Sequence, residues 1–164
     1  RFLGLTFGGR YTLIKAPFFF LSFLQHVDAD LADRVTKENL DEAAAFAKAF
    51  AGKMNAVVAI TGAIDIVADA EKAYCIYNGR PEMSSITGTG CQLSALTAAF
   101  VTANQEQPLE AAAAAVCAMG LAGETAYARL SELDGNATYR NYIIDAIYRM
   151  NGEALEAGAK FEVR

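Results

Sequence analysis

The sequence predicts an α/β fold, and three features carry this prediction. From Asp28 onward, helix-type and strand-type patterns alternate along the chain. Residues 56–61 form a continuous apolar run of strand length, which suits a strand buried on both faces. Two glycines, Gly88 and Gly90, lead directly into a long helical pattern. With 164 residues, of which 54% are hydrophobic, the chain is long enough for one domain with one core.

The first predicted helix begins at Asn39, which has Glu42 three residues on, as in a capping box. The helix is predicted to end at Gly52. Its apolar face consists of Leu40, Ala43, Ala44, Ala47, Phe50 and Ala51. After the buried strand, residues 64–68 and 73–77 are predicted to pair as a β-hairpin, with Asn78 and Gly79 forming the turn that follows.

Three helices are predicted in the second half of the chain. The first spans about residues 91–104, and the second begins near Pro108 and contains an alanine run at residues 111–115. Small side chains let another helix or another subunit approach closely. Gly135 interrupts the pattern, and a final amphipathic helix follows. Its apolar residues are Ile143, Ile144, Ala146, Ile147 and Met150.

The segment from Gly88 to Gly90 is the strongest functional signal. Glycine lets the backbone turn tightly and approach a ligand, and the first N–H groups of the following helix point into the loop. The helix dipole favours an anion there, so the loop predicts a phosphate site. Cys91 lies in the first helical turn, where a sulfur can act as a base or nucleophile. The alternatives are a simple turn for the glycines and a small buried apolar residue for Cys91.

Charge and composition exclude several classes of function. The net charge of −5 argues against a nucleic-acid surface, which needs a basic face. The single histidine, His26, lies before the orderly pattern that starts at Asp28, and a hydrolase triad is not expected. The three cysteines have no paired spacing, so neither a disulfide nor a zinc site is predicted. The three glutamates Glu106, Glu110 and Glu124 are interpreted as exposed helix charges.

A resemblance to a known family unites several of these segments. Residues 87–91, followed by Leu93-Ser94-Ala95, resemble the signature of the hydroxyethylthiazole kinases, which belong to the ribokinase-like superfamily. Residues 57–65, 120–124 and 139–148 resemble other family segments in the same order, the last being the final helix before the carboxyl terminus. The resemblance covers residues 27–164 and leaves residues 1–26 as an atypical amino-terminal segment.

The resemblance implies a fold and an activity. The fold would be a ribokinase-like three-layer α/β fold, incomplete at the amino-terminal side. The reaction would be transfer of the ATP γ-phosphoryl group to the hydroxyl of 4-methyl-5-(2-hydroxyethyl)thiazole in thiamine biosynthesis and salvage, with ATP and magnesium (Mg²⁺). The family implies a cytoplasmic homotrimer that acts on a small molecule. Residues 16–24 are apolar but too short to cross a bilayer, so no membrane partner is expected.

The resemblance also implies roles for individual residues. Cys91 takes the place where related sugar kinases carry an aspartate base, with Gly90 and Thr89 completing the catalytic loop. Gly88 matches the substrate-contacting glycine. Thr61 matches a residue that contacts ATP, the alternative being a threonine that satisfies a local turn. Lys15 could replace an ATP-binding arginine, although an ordinary lysine at a strand end is the other interpretation. No metal ligand is predicted.

The sequence departs from the family pattern at two places. Ala63 stands where the family has a glutamate, and the residues after Lys15 supply neither the Asn nor the Glu of the family turn. The chain alone is therefore expected to have little or no kinase activity. The alternative hypothesis is a non-catalytic fragment that binds only anions or partner subunits. One explanation of residues 1–26 is that they are a truncated or altered edge of a longer reading frame.

Overall fold

A computed structural model of the chain describes residues 35–164. Lys15 and the other residues before position 35 lie outside this range. In chain order, the elements are helix α1 (Leu40–Met54), strands β1 (Val58–Ile60), β2 (Asp65–Ala68) and β3 (Ala73–Ile76), a 3₁₀ helix (Pro81–Ser85), helices α2 (Thr89–Ala103), α3 (Pro108–Tyr127), α4 (Asn136–Arg149) and α5 (Gly152–Gly158), and strand β4 (Phe161–Val163).

The four described strands form one sheet in the order β1-β2-β3-β4, and each pair of neighbours is antiparallel. The predicted hairpin of β2 and β3 is confirmed, with Ile66 opposite Cys75 and Val67 opposite Tyr74. Because side chains alternate along a strand, Ile66 and Cys75 pack with α1, whereas Val67 packs with the core of α2, α3 and α4. The described residues therefore form three layers, with the sheet in the middle.

Helix α3 is the centre of the larger core. The alanines at 111–115 are fully buried, and α2 and α4 pack against this helix. Its 20 residues are apolar enough to cross a membrane by composition alone, but 78% of the most apolar window is buried inside the protein. Tyr139 of α4 donates a hydrogen bond to the backbone oxygen of Gly123 at 3.0 Å. The small residues of α3 thus serve close packing within the chain.

The predicted start of α1 at Asn39 is confirmed, but its predicted end and its predicted capping box need correction. The helix continues past Gly52 to Met54 and ends at Asn55, whose φ of 50° is left-handed. Asn39 lies at the N-cap position but makes no side-chain cap. Its Oδ1 instead accepts the N–H of Thr36 at 2.8 Å, in the turn before the helix. The predicted capping box is wrong because the amide side chain bonds backward rather than forward.

The helix predicted to be the last one is followed by two further elements. Asn151 caps α5 by accepting the N–H of Ala154 at 2.8 Å, and β4 then pairs with β3. The backbone of Arg164 also exchanges hydrogen bonds with Ala73, at 3.0 and 2.9 Å. Strand β4 has three residues and no buried side chain, so its sequence carries no strand pattern. Its pairing with a distant strand stabilises it.

Candidate functional site

A cavity of about 510 Å³ opens at one edge of the sheet. Strand β1 ends there, β2 begins there and β3 ends there, because the three strands are antiparallel neighbours. The amino terminus of α2 closes the opposite side. The lining residues are Thr61, Gly62, Ala63, Asp65, Tyr77, Asn78, Gly79, Arg80, Pro81, Met83, Ser84, Thr89, Gly90, Leu93, Val116, Met119 and Gly120.

Helix α2 begins with free backbone donors. Gly88 is the N-cap residue, and the first backbone hydrogen bond of the helix runs from the N–H of Gln92 to the oxygen of Gly88, at 3.0 Å. The three N–H groups before Gln92 have no partner within the helix. Within residues 35–164, no side chain caps this end of the helix. These donors, together with the helix dipole, form an arrangement that binds anions.

Glycine occupies the two positions of the loop for different structural reasons. Gly88 has a φ of 96°, a left-handed conformation that other residues adopt only with strain. Gly90 has no such backbone conformation. Apart from the adjoining backbone of its own helix, no heavy atom of the described residues lies within 4 Å of the Cβ position that a side chain at Gly90 would have. Local backbone geometry therefore explains Gly88, whereas the open space at Gly90 enlarges the cavity.

The structure brings together three of the residues predicted from the sequence. Thr61, Thr89 and Gly90 all line the cavity. Gly88 and Cys91 flank this lining without being part of it. Cys91 is exposed, so the interpretation of Cys91 as a buried packing residue is wrong. Its role as a base stays a prediction, as does that of Lys15, which lies outside the described residues.

Asp65 is a cavity residue to which the sequence assigned no role. Its partly buried carboxyl group is the only acidic side chain that lines the cavity within residues 35–164. Burial raises the pKa of Asp65 to about 7, although the N–H of Gly62, which lies 2.9 Å from Oδ1, acts in the opposite direction. The available signal was an acidic residue that begins an otherwise apolar strand.

Arg80 is the only positively charged side chain that lines the cavity in the described part of the chain. Its guanidinium carbon lies 4.1 Å from the ring centroid of Tyr127. Nη2 and Nε of Arg80 also contact the two carboxylate oxygens of Glu82, at 2.9 and 3.1 Å. These contacts fix the guanidinium group beside the cavity, with its Nε and Nη2 donors directed at Glu82. Sequence reasoning missed Arg80 because the preceding Asn78-Gly79 turn was interpreted only as a turn.

A buried hydrogen-bond network holds the segment that leads to Arg80. Asn78 is 7% exposed, and its Nδ2 contacts Glu124 Oε1 at 3.2 Å and the oxygen of Gly158 at 3.0 Å. Glu124 also accepts the N–H of Gly79 at 2.9 Å and pairs with Lys160 at 2.6 Å. Burial opposes ionisation of Glu124, but the bonds from Lys160, Gly79 and Asn78 outweigh it and lower its pKa. Glu124 is therefore not the free exposed charge predicted from the sequence.

Comparison with known proteins decides the family. The profile of the hydroxyethylthiazole kinase family matches residues 27–153. The chain belongs to the hydroxyethylthiazole kinase family. A hydroxyethylthiazole kinase of Clostridium acetobutylicum is 57% identical over 136 residues, which are 83% of this chain and 50% of that protein. Hydroxyethylthiazole kinase 2 of Methanosphaera stadtmanae is 38% identical, over 82% of this chain and 47% of its own length.

The solved structures give the same result for the fold. A hydroxyethylthiazole kinase protein from Pyrococcus horikoshii OT3 matches with a TM-score of 0.69 and 33% sequence identity. The match covers 77% of this chain and 48% of that protein. The family resemblance and the ribokinase-like α/β fold predicted from the sequence are thereby confirmed. The chain spans about half the length of the relatives that it matches.

Proposed function

We propose that this chain forms the phosphate-holding half of a hydroxyethylthiazole kinase. The whole enzyme would transfer the γ-phosphoryl group of ATP to the hydroxyl of 4-methyl-5-(2-hydroxyethyl)thiazole in thiamine biosynthesis and salvage. The observation that carries the proposal is the uncapped start of α2, which faces a cavity of about 510 Å³ beside the empty space at Gly90. Phosphoryl transfer depends mostly on positioning and charge stabilisation, which such a site supplies.

The cavity has groups that suit the phosphates of ATP. The first N–H groups of α2 would bind phosphate oxygens, and Arg80, which also lines the cavity, would add N–H donors that Glu82 does not occupy. Thr61, at the end of β1, would contact the nucleotide, as the family resemblance implies. Lys15 is a proposed second nucleotide contact on the same basis.

Magnesium would accompany the nucleotide. Within residues 35–164, no group of three or more His, Cys, Asp or Glu side chains could hold a metal ion. Mg²⁺ in kinases is commonly held by substrate phosphates, one or two carboxylates and water, so such a cluster is not required. When bound, Mg²⁺ neutralises charge on the phosphates. We assign no ligand for it in the described part of the chain.

The proposed chemistry gives a role to each of the four loop residues from Gly88 to Cys91. Gly88 would contact the thiazole alcohol, and Cys91 would remove the proton from its hydroxyl group. The hydroxyl oxygen would attack the γ-phosphorus of ATP, and ADP would leave. The N–H groups of Thr89 and Gly90 would stabilise the negative charge on the transferring phosphoryl group. The exposed position of Cys91 leaves it accessible to a substrate that enters from outside the cavity.

We also propose that the enzyme is a cytoplasmic homotrimer without nucleic-acid or membrane partners. The small residues of α3 are buried within the chain, so they do not form the subunit contact. Large apolar side chains are exposed elsewhere, with Leu133 at 97% and Tyr148 at 88% exposure. Such side chains support an interface near α4. Light scattering of the size-fractionated protein would test the trimer by its mass.

A chimaeric enzyme tests the proposed activity. The amino-terminal half of the Clostridium acetobutylicum relative would be joined to residues 27–164 of this chain. We expect ATP-dependent phosphorylation of the thiazole alcohol at roughly 1–100 s⁻¹, the usual range for kinases. The unfused chain is the control, and it should show little or no turnover. A folded chimaera without activity would favour the alternative of a non-catalytic fragment.

A further inference from the structure

Asp65 makes one contact that links the sheet to the cavity edge. The turn of residues 61–63 connects β1 to β2, and its three residues are exposed and line the cavity. The N–H of Gly62, in the middle of this turn, donates to Oδ1 of Asp65 at 2.9 Å. Asp65 itself is anchored in β2, where it lies opposite Ile76 of β3. The carboxyl group therefore ties an exposed turn to a buried strand.

The surroundings of Asp65 are unfavourable for a charge. Its carboxyl group lies on the face of the sheet that packs against α3, near the buried Cys117. No basic side chain within residues 35–164 forms an ion pair with Asp65. A buried carboxylate without a cation destabilises the folded state. An amide of the same shape would accept the same hydrogen bond from Gly62 without this cost, so the hydrogen bond rather than the charge is the contribution of this side chain.

We propose that Asp65 is a positioning residue, which fixes the Thr61–Gly62 turn at the edge of the cavity and thereby sets how tightly the cavity holds nucleotide phosphates. The inference rests on the proposed nucleotide site. Asp65 acts through Gly62, because the hydrogen bond sets the direction of the backbone that carries Thr61. Among residues 35–164, the bond from Gly62 is the hydrogen bond that the Asp65 side chain makes, and Asp65 also lines the cavity.

Other groups near Asp65 do not titrate near neutral pH. Burial, with Asp65 as a further cause, raises the pKa of the Cys117 thiol on α3 to about 12. The hydrogen bond to Glu162 raises the pKa of Tyr77 on β3 to about 12, and pairing with Glu82 raises that of Arg80. These are the titratable side chains of the neighbouring elements that line the cavity or contact Asp65. A titration between pH 6 and 8 observed at Gly62 would therefore report Asp65.

Nuclear magnetic resonance of the Gly62 amide tests the positioning directly in this chain. In the wild type, the amide proton signal should move downfield as the pH rises through about 7, because an ionised carboxylate is the stronger acceptor. Asp65→Asn should keep the signal in a hydrogen-bonded position but remove its pH dependence. Asp65→Ala should shift it toward the position of an unbonded amide. The control, Asp69→Ala, removes a carboxylate that closes the β2–β3 turn outside the cavity, and it should leave Gly62 unchanged.

Calorimetric titration with MgATP tests the consequence for binding. Asp65→Ala should weaken the affinity by about threefold to tenfold, as expected for one lost hydrogen bond, while Asp65→Asn and Asp69→Ala stay near the wild type. The inference is overturned if Asp65→Ala changes neither the Gly62 signal nor the affinity, or if Asp69→Ala has the same effect. A wild-type chain that binds no MgATP would instead overturn the proposed nucleotide site, and the Gly62 signal would then decide the role of Asp65 by itself.

Discussion

Cys91 differs from the other two cysteines of the chain in its environment. Cys75 and Cys117 are buried in the two cores, whereas Cys91 is exposed at the start of α2. A cysteine that fills no core space is free to serve chemistry, and its thiol lies next to the proposed phosphate site. Two substitutions in the chimaeric enzyme separate catalysis from packing.

Cys91→Asp should retain much of the activity, because a carboxylate can accept the proton of the substrate hydroxyl. Cys91→Ser should lower kcat by about 10²- to 10⁴-fold, since a serine hydroxyl stays protonated at neutral pH. Both variants should keep the wild-type melting temperature because the side chain is exposed. Measurements of kcat and melting temperature check both points, and an unchanged kcat in Cys91→Ser would exclude Cys91 as the base.

The raised pKa of Asp65 should make the stability of the chain depend on pH. Its pKa is about 7 in the folded chain and 3.8 in the unfolded chain, so the folded state binds more protons between these values. The free energy of unfolding should therefore fall as the pH rises through about 7, because the folded state then loses the proton that Asp65 holds. Asp65→Asn should have a larger free energy of unfolding than the wild type at about pH 8. At about pH 6 this difference should be smaller. Urea unfolding at both pH values measures it, and an equal difference at both would contradict the assigned cause.

The sequence indicated part of the site at the level of single residues. Thr61, Thr89 and Gly90 were found because they lie in recognisable loops after a strand or before a helix. Asp65 and Arg80 were missed because their environments depend on distant residues. Asp65 is buried by packing on α3, and Arg80 is held by Tyr127, which is 47 positions away. No local pattern reports such contacts.

At the level of elements, α3 packs against the turn after β3 without room for a side chain. A Cβ on Gly120 would lie 2.6 Å from the backbone carbon of Asn78, too close for relief by a side-chain rotation. This contact brings α3 against the segment that carries Arg80. The sequence indicated only that Gly120 continues a face of small residues, since the neighbour comes from another part of the chain.

Gly120→Ala should therefore destabilise the chain by about 1–3 kcal/mol, as expected for overpacking. Gly152→Ala is the matched control, because Gly152 also lies in a helix and has open space around its Cβ position. Thermal unfolding should show a lower melting temperature for Gly120→Ala and no loss for Gly152→Ala. If both variants melt at the wild-type temperature, the packing of α3 against Asn78 is looser than the distance of 2.6 Å implies.

Whole elements could be predicted from the sequence where their pattern is local and could not where they depend on a distant partner. The long helices and the hairpin were predicted because their patterns are local and repeat over many residues. Strand β4 was missed because it depends on β3, a partner about 85 residues earlier in the chain, as in the pair Cys75 and Glu162. The capping box failed since Asn39 has two competing backbone partners, and sequence spacing does not decide between them.

For the molecule as a whole, the two cores on either side of the sheet place the cavity at the edge where three strand ends meet α2. The long core helix α3 lies against β2, β3 and the turn after β3, so it fixes the distance between the sheet and α2. We propose that the start of α2 and the open space at Gly90 bind the phosphates of ATP at this edge.

Calorimetric titration of the purified chain with MgATP, comparing the wild type with Gly90→Val and Gly152→Val, tests whether the phosphates bind there. Both substitutions add a side chain in the first turn of a helix where space is open, but only Gly90 lines the cavity. We predict that the wild type and Gly152→Val bind MgATP with similar affinity, whereas Gly90→Val loses at least about tenfold with its melting temperature preserved. Equal affinity in all three proteins would contradict the claim and leave the loop as an ordinary helix start.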